Sequence, residues 1–245
     1  MSVNKKKFRQ AIRAQGLLWL LMLADALFMA GHAIAWMFWD APTDMFLLNG
    51  STLGLAEGFQ YLKYLGILCL LAYLIGLKKQ HAYLPLFFLF AFLFADDVSQ
   101  LHNRASWVFV HRLQLQPLAG VHAQPLGKIF YTATIASLFM GVSGRYYLKA
   151  SSELRRAFRD ILVLLAGFLF FGVGLDVFQT FFVGRPRIGF WLTLTEEGGE
   201  MLVLSLLLWY LYCLFLPLKH PWPLFWGRII GKNEQKRLDR ITKLR

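Results

Sequence analysis

Apolar residues in this chain come in long, nearly uninterrupted blocks, and that one feature removes most folds from consideration. The blocks lie at about 16–39, 53–77, 82–102, 127–148, 158–183 and 190–216. A helix needs about twenty residues to cross a hydrocarbon core of about 30 Å at 1.5 Å per residue. A soluble domain is about one quarter charged, with its apolar positions spread periodically. Here 57% of the 245 residues are hydrophobic and 16% are charged. The expected fold is therefore an all-α membrane protein, a bundle of about six transmembrane helices forming one domain over 1–216. The third block is the shortest, because Tyr83 to Ala95 supplies only 13 apolar residues. It crosses only if Asp96 and Asp97 lie at membrane depth.

Breakers separate the blocks. Pro42 and Asn49-Gly50 follow the first, Lys78-Lys79-Gln80 the second, and Pro117 and Pro125 the third. Gly184-Arg185-Pro186 follows the fifth, and Pro217 ends the sixth. The segment from Asn103 to Leu126 is the longest connection, and its apolar stretch Trp107–Val110 is expected to lie along the membrane interface. The N-terminal basic residues followed by an apolar run resemble a secretory signal, with Ala33-Ile34-Ala35 as a cleavage point. The run from Gly16 to Trp39 is too long for that and contains Asp25, so it reads as a retained first helix.

Basic residues set the expected orientation. The N-terminus, the 78–81 loop, the 145–159 loop and the tail hold 20 Lys and Arg, whereas the alternate loops hold 5. By the positive-inside rule both termini are cytoplasmic. The net charge of +12 comes from this distribution rather than from a basic folded domain, so the expected partners are the bilayer and anionic lipid headgroups on the cytoplasmic side, not nucleic acid. Protein partners are left open. The tail over 217–245 reads as basic and interfacial, with Trp222, Phe225 and Trp226 at headgroup level. Compact loops and this simple charge pattern point to a bacterial inner membrane. Cys69 and Cys213 both lie in apolar blocks and read as packing residues.

Against this background the acidic residues stand out. Eight of the fourteen fall inside or at the edge of spans: Asp25, Glu57, Asp96, Asp97, Asp176, Glu196, Glu197 and Glu200. Seven lie in the outward half, and Asp25 lies nearer the middle. Each carboxylate at a helix centre costs about 2.5–3.5 kcal/mol on insertion scales, so they are expected to face a shared interior, a water-filled cavity or a bound cation. Helical spacing supports convergence. Glu57, Gln60, Tyr61 and Tyr64 form one stripe, Asp176, Gln179 and Thr180 another, and Thr193, Glu196, Glu197 and Glu200 the densest. Gly198-Gly199 beside the last stripe permits a close neighbour or a local unwinding. Asp25 and His32 share a face of the first helix. The third helix offers Asp97, with His102 near its outer end.

Carboxylates brought together repel, so they hold protons unless a cation compensates them. Oxygen-rich sites suit Mg, Ca or Mn, and an added imidazole suits Fe or Zn. The expected site is thus a divalent metal ion held by Glu57, Asp97, His102, Asp176, Glu197 and Glu200, with Asp25, His32, Asp96 and Glu196 as secondary candidates. The chain lacks the Glu-x-x-His pairs of di-iron carboxylate bundles, and His102 is five residues from Asp97, about 140° away on a straight helix. Ser99 and His102 match one element of the alkaline ceramidase and adiponectin-receptor hydrolases, whose paired histidines near the end of the chain have no counterpart in the sixth block. Neither family is assigned.

Three functions follow. The first is a metal-dependent enzyme acting on a lipid or apolar substrate. The second is a proton- or cation-coupled transporter or channel. The third is a non-catalytic subunit of a larger complex. Arg104, seven residues from Asp97, and Lys63 in the second helix offer purely structural ion pairs.

Overall fold

A computed structural model describes residues 2–39, 54–118 and 121–216. Its elements, in chain order, are α1 (Ser2–Trp39), α2 (Leu55–Gly76), α3 (Leu84–Ser99), α4 (Leu101–Leu113), α5 (Ala123–Lys149), α6 (Ser152–Leu169), α7 (Leu175–Gln179) and α8 (Pro186–Phe215). Short turns of other helix types join them: 3-10 turns at His81–Tyr83 and Thr180–Phe182, and a π-helical turn at Phe170–Gly174. Six helical segments are long and apolar enough to cross a membrane: Arg9–Phe38, Leu55–Gly76, His81–Ser99, Ala123–Lys149, Ser152–Phe182 and Pro186–Phe215. Each coincides with one of the six expected blocks. The expectations for Pro42, Asn49-Gly50 and the basic tail over 217–245 lie outside the described residues.

α8 is the axis of the bundle, packed against α1, α2 and α6. Its lower half buries Leu204, Leu207, Trp209, Leu211 and Cys213 almost completely. Opposite them lie Ile67, Leu71 and Leu74 of α2, Phe90 of α3, and Phe158 and Ile161 of α6. Away from their ends these helices satisfy their backbone polar groups internally, so apolar side chains can close the gaps. Large apolar residues on the outer faces, such as Leu20, Leu27, Leu62, Leu138, Val163 and Phe170, are exposed, the pattern of a surface meeting lipid. Cys69 is exposed on that surface.

Two helix ends have clear chemical stops. Lys78 donates to the carbonyls of Leu214 (3.2 Å) and Phe215 (2.9 Å), placing a cation on the negative end of α8. Ser151 accepts from the Leu154 amide at 3.4 Å and caps α6.

The third block departs from expectation. It does not continue to residue 102, because Gln100 takes a left-handed conformation (φ 51°) and receives the chain out of α3 into α4. The segment after Asn103 is consequently not a loop in its first part. It is helical to Leu113 and packs along α5, where Gly127 lets the carbonyl of Ser106 approach more closely than any side chain would allow. A residue outside glycine in a left-handed conformation leaves almost no periodic signal, which is why the break was not legible in the apolar pattern.

Candidate functional site

The deepest polar group is an ion pair. Lys63 Nζ lies 2.5 Å from Asp25 Oδ1, with the two side chains 1% and 0% exposed, so water is excluded. Taking two charges out of water costs several kcal/mol each, by order of magnitude, and is tolerated only when the remaining donors and acceptors are satisfied. They are. Lys63 also donates to the Met201 carbonyl of α8 at 3.0 Å and sits 4.5 Å from the centre of the Phe59 ring. Asp25 Oδ2 accepts from Ser205 at 2.6 Å. One ion pair thereby ties α1, α2 and α8 together.

From this pair toward the end of the bundle that holds Glu57 and Asp97, the interior becomes acidic. Glu57 and Gln60 on α2, Asp97 on α3, and Glu197 and Glu200 on α8 face one region. Glu200 is within electrostatic reach of Glu197, Asp97 and Glu196, and Gln60 can hydrogen-bond it. Glu197 in turn senses Glu196, Asp97 and Glu57. Unlike Asp25, all four of these residues are only partly buried as whole residues, although the Glu200 carboxylate itself is packed against Gly172. Along α2, Glu57 and Lys63 are six residues apart, or about 9 Å of helix rise. The acidic group therefore lies above the buried pair in the same interior.

Small residues make room for it. A Cβ on Gly172 would collide with the Glu200 carboxylate, one on Gly198 with Met29, and one on Gly199 with Phe171. Of the two expectations for Gly198-Gly199, close packing is the one realised, since α8 continues through them without a break. Gly172 sits in the π-helical turn, a feature found mostly at functional positions in other helices.

A second cluster adjoins the first. Lys128 of α5 pairs with Asp176 of α7 at 2.6 Å, and Gln179 donates to Glu196 at 2.6 Å. Thr180 does not join it, because its hydroxyl donates back to the Val177 carbonyl. At the rim, Asp96 accepts from Tyr131 at 2.7 Å and meets His102 at 3.2 Å. The break at Gln100 is what turns His102 toward α3, and its contact is with Asp96 rather than Asp97. Glu57 accepts from Tyr61 and, at 3.4 Å, from the Gly54 amide, so it also caps the start of α2.

Of the residues expected to form one site, the structure thus brings Glu57, Asp97, Glu197 and Glu200 together. Asp176 and Glu196 form the adjoining cluster, His102 and Asp96 the rim, and Asp25 the closed floor. His32 is elsewhere: it is buried and stacked on Phe190 at 5.2 Å, its Nδ1 without a hydrogen-bond partner among the described residues. Arg104 forms no ion pair with Asp97 among the described residues. Nor does any group of three or more His, Cys, Asp or Glu side chains among them come close enough to hold a metal ion. Nothing in the sequence marks Ser205 and Tyr131, and Lys128 counts there only as one of the five basic residues of the outward loops, since hydroxyls and a single lysine near a helix end carry no periodic signal until their partners across helices are known.

A protein-family model described as a domain of unknown function (DUF8692) matches residues 20–214. No curated protein and no solved structure matches the chain.

Proposed function

The chain belongs to the DUF8692 family, a description that carries no activity, and we propose from the geometry that it is a multi-pass membrane protein that takes up protons or a cation into its acidic interior to drive or permit transport. The observation that carries this reading is charge imbalance. Glu57, Asp97, Glu197 and Glu200 share one partly accessible region, and no Lys or Arg among the described residues pairs with any of them. The missing positive charge must come from protons or from a cation entering the site. Protons fit best, because they need no common coordination centre and the carboxylates are strung along the interior rather than closed around a point.

A divalent cation is the second reading, favoured by the excess of carboxylate oxygen over paired cations. It would draw its ligands from Glu57, Asp97, Glu197 and Glu200, which would have to close in on the ion, since no three such side chains among the described residues stand close enough to share one; His32 has no role in it. A metal-dependent enzyme would follow from that reading alone. The orientation we propose has both termini cytoplasmic and the acidic end outward, in a bacterial inner membrane, on the strength of the uneven distribution of Lys and Arg.

The test is reconstitution in liposomes carrying an internal pH indicator, comparing the natural protein with Glu200→Gln. Proton flux should fall by about tenfold or more, while the helical content and elution profile stay unchanged. Equal flux in the two proteins would refute proton handling by this group. Elemental analysis of the same samples separates the second reading: a stoichiometric metal present in the natural protein and lost in Glu197→Gln would replace protons with that ion.

A further inference from the structure

We propose that a groove at the basic end of the bundle, opposite the acidic interior, binds one anionic phospholipid. The groove has a volume of about 1050 Å³ and runs between the α2–α3 connection, the second half of α5 and the start of α6. This is the upper end of the range for small-molecule pockets, about 300–1,000 Å³. It exists because α5 packs chiefly against α4 and touches α6 only lightly.

Its chemistry changes with depth. At the mouth stand Lys79, Arg145 and Lys149, together with His81, and no Asp or Glu lines it. Lys78, the neighbour of Lys79, is committed to the carbonyls ending α8, whereas Lys79 is exposed and faces the groove. Ser151, the cap of α6, is part of the wall and adds a hydroxyl to it. Farther in, the lining is Val142, Gly141 and Leu138. A Cβ on Gly141 would meet nothing within 4 Å, so the groove stays open at that level.

The dimensions select the ligand. From Lys149 to Leu138 is eleven residues of α5, about 16 Å of rise and about half of a 30 Å hydrocarbon core. A phosphate at the mouth would place an acyl chain along Val142, Gly141 and Leu138 to the depth of one leaflet. A free anion would use only the mouth. Basic pockets between transmembrane helices are a general means of holding anionic headgroups, each Lys or Arg near the surface adding to the attraction. The site uses none of the carboxylates of the acidic interior and stands or falls independently of the function proposed above.

Native mass spectrometry of the full chain in mild detergent tests it, with phosphatidylglycerol and phosphatidylcholine titrated separately. One phosphatidylglycerol should be retained, in preference to phosphatidylcholine by about tenfold or more. Arg145→Gln/Lys149→Gln should abolish the preference. Gly141→Phe, which fills the groove without touching its charge, should reduce retention of the lipid. Equal retention of the two lipids, or a preference unchanged in both variants, would overturn the proposal. So would displacement by inorganic phosphate at concentrations comparable to the lipid, which would leave an anion site without a lipid.

Discussion

The two halves of the bundle are made by the same helices and behave as different materials. α2, α3 and α8 each contribute carboxylates at one end, and each contributes fully buried aliphatic or aromatic residues at the other. On α8 the boundary falls between Glu200 and Leu204, a single turn. Above it, Glu197 and Glu200 remain partly accessible; below it, Leu207, Trp209 and Leu211 are 0% exposed. The Asp25–Lys63 pair lies at that boundary and floors the acidic region. The lower half is bridged to α8 by Tyr210 donating to Asp160 at 2.8 Å and by Lys78 donating to the carbonyls that end the helix, and it gathers no group of carboxylates. The lesson is a difference in kind: the apolar half packs the larger core, whereas the acidic half sets its carboxylates beside a smaller one of Ala56, Phe190, Leu194 and Met201.

Four substitutions would break or sharpen this contrast. Lys63→Met should have the largest effect, lowering stability by about 3–5 kcal/mol, because it leaves Asp25 charged, buried and unpaired. Unfolding in detergent measures it, and the double variant Asp25→Asn/Lys63→Met should recover most of the loss. A single variant as stable as the natural protein would mean that the pair is not the floor of the site. Leu207→Ala comes next, at about 2–5 kcal/mol for a fully buried leucine, with proton flux per folded molecule unchanged. Flux lost in that variant would show that the two halves are not separable.

Gly172→Ala should act the other way. Crowding by a new methyl group costs about 1–3 kcal/mol and the better helix propensity of alanine returns up to about 1 kcal/mol, so the net stability change is small. The Glu200 carboxylate must move, however, and flux should fall as it does in Glu200→Gln. Unaltered flux would separate the π-helical turn from the site. The smallest effect belongs to Lys128→Gln, which removes a partly exposed ion pair worth about 0.2–1 kcal/mol. A loss well beyond that, in the same unfolding assay, would promote the adjoining cluster from rim to core.

Much of this was legible in the chain. The lengths of the apolar blocks required six spans, because lipid offers no partner to an unbonded backbone and only a helix of about twenty residues satisfies itself across the core. The stripes Glu57–Gln60 and Glu196–Glu200 could be placed on helix faces from spacing alone, and the energetic cost of exposing them to lipid required those faces to meet. What spacing could not supply was distance between helices or direction after a break. On a straight helix His102 would point about 140° away from Asp97, whereas the break at Gln100 turns it back onto Asp96. Spacing named Lys63 as a possible partner but could not pair it with Asp25, 38 positions earlier. Periodicity is a property of one helix at a time and was fixed by the sequence. Which carboxylates share an interior, which one is neutralised by a lysine and which are left for a proton or a cation depend on how α1, α2, α3 and α8 pack, and only the tertiary structure decided that.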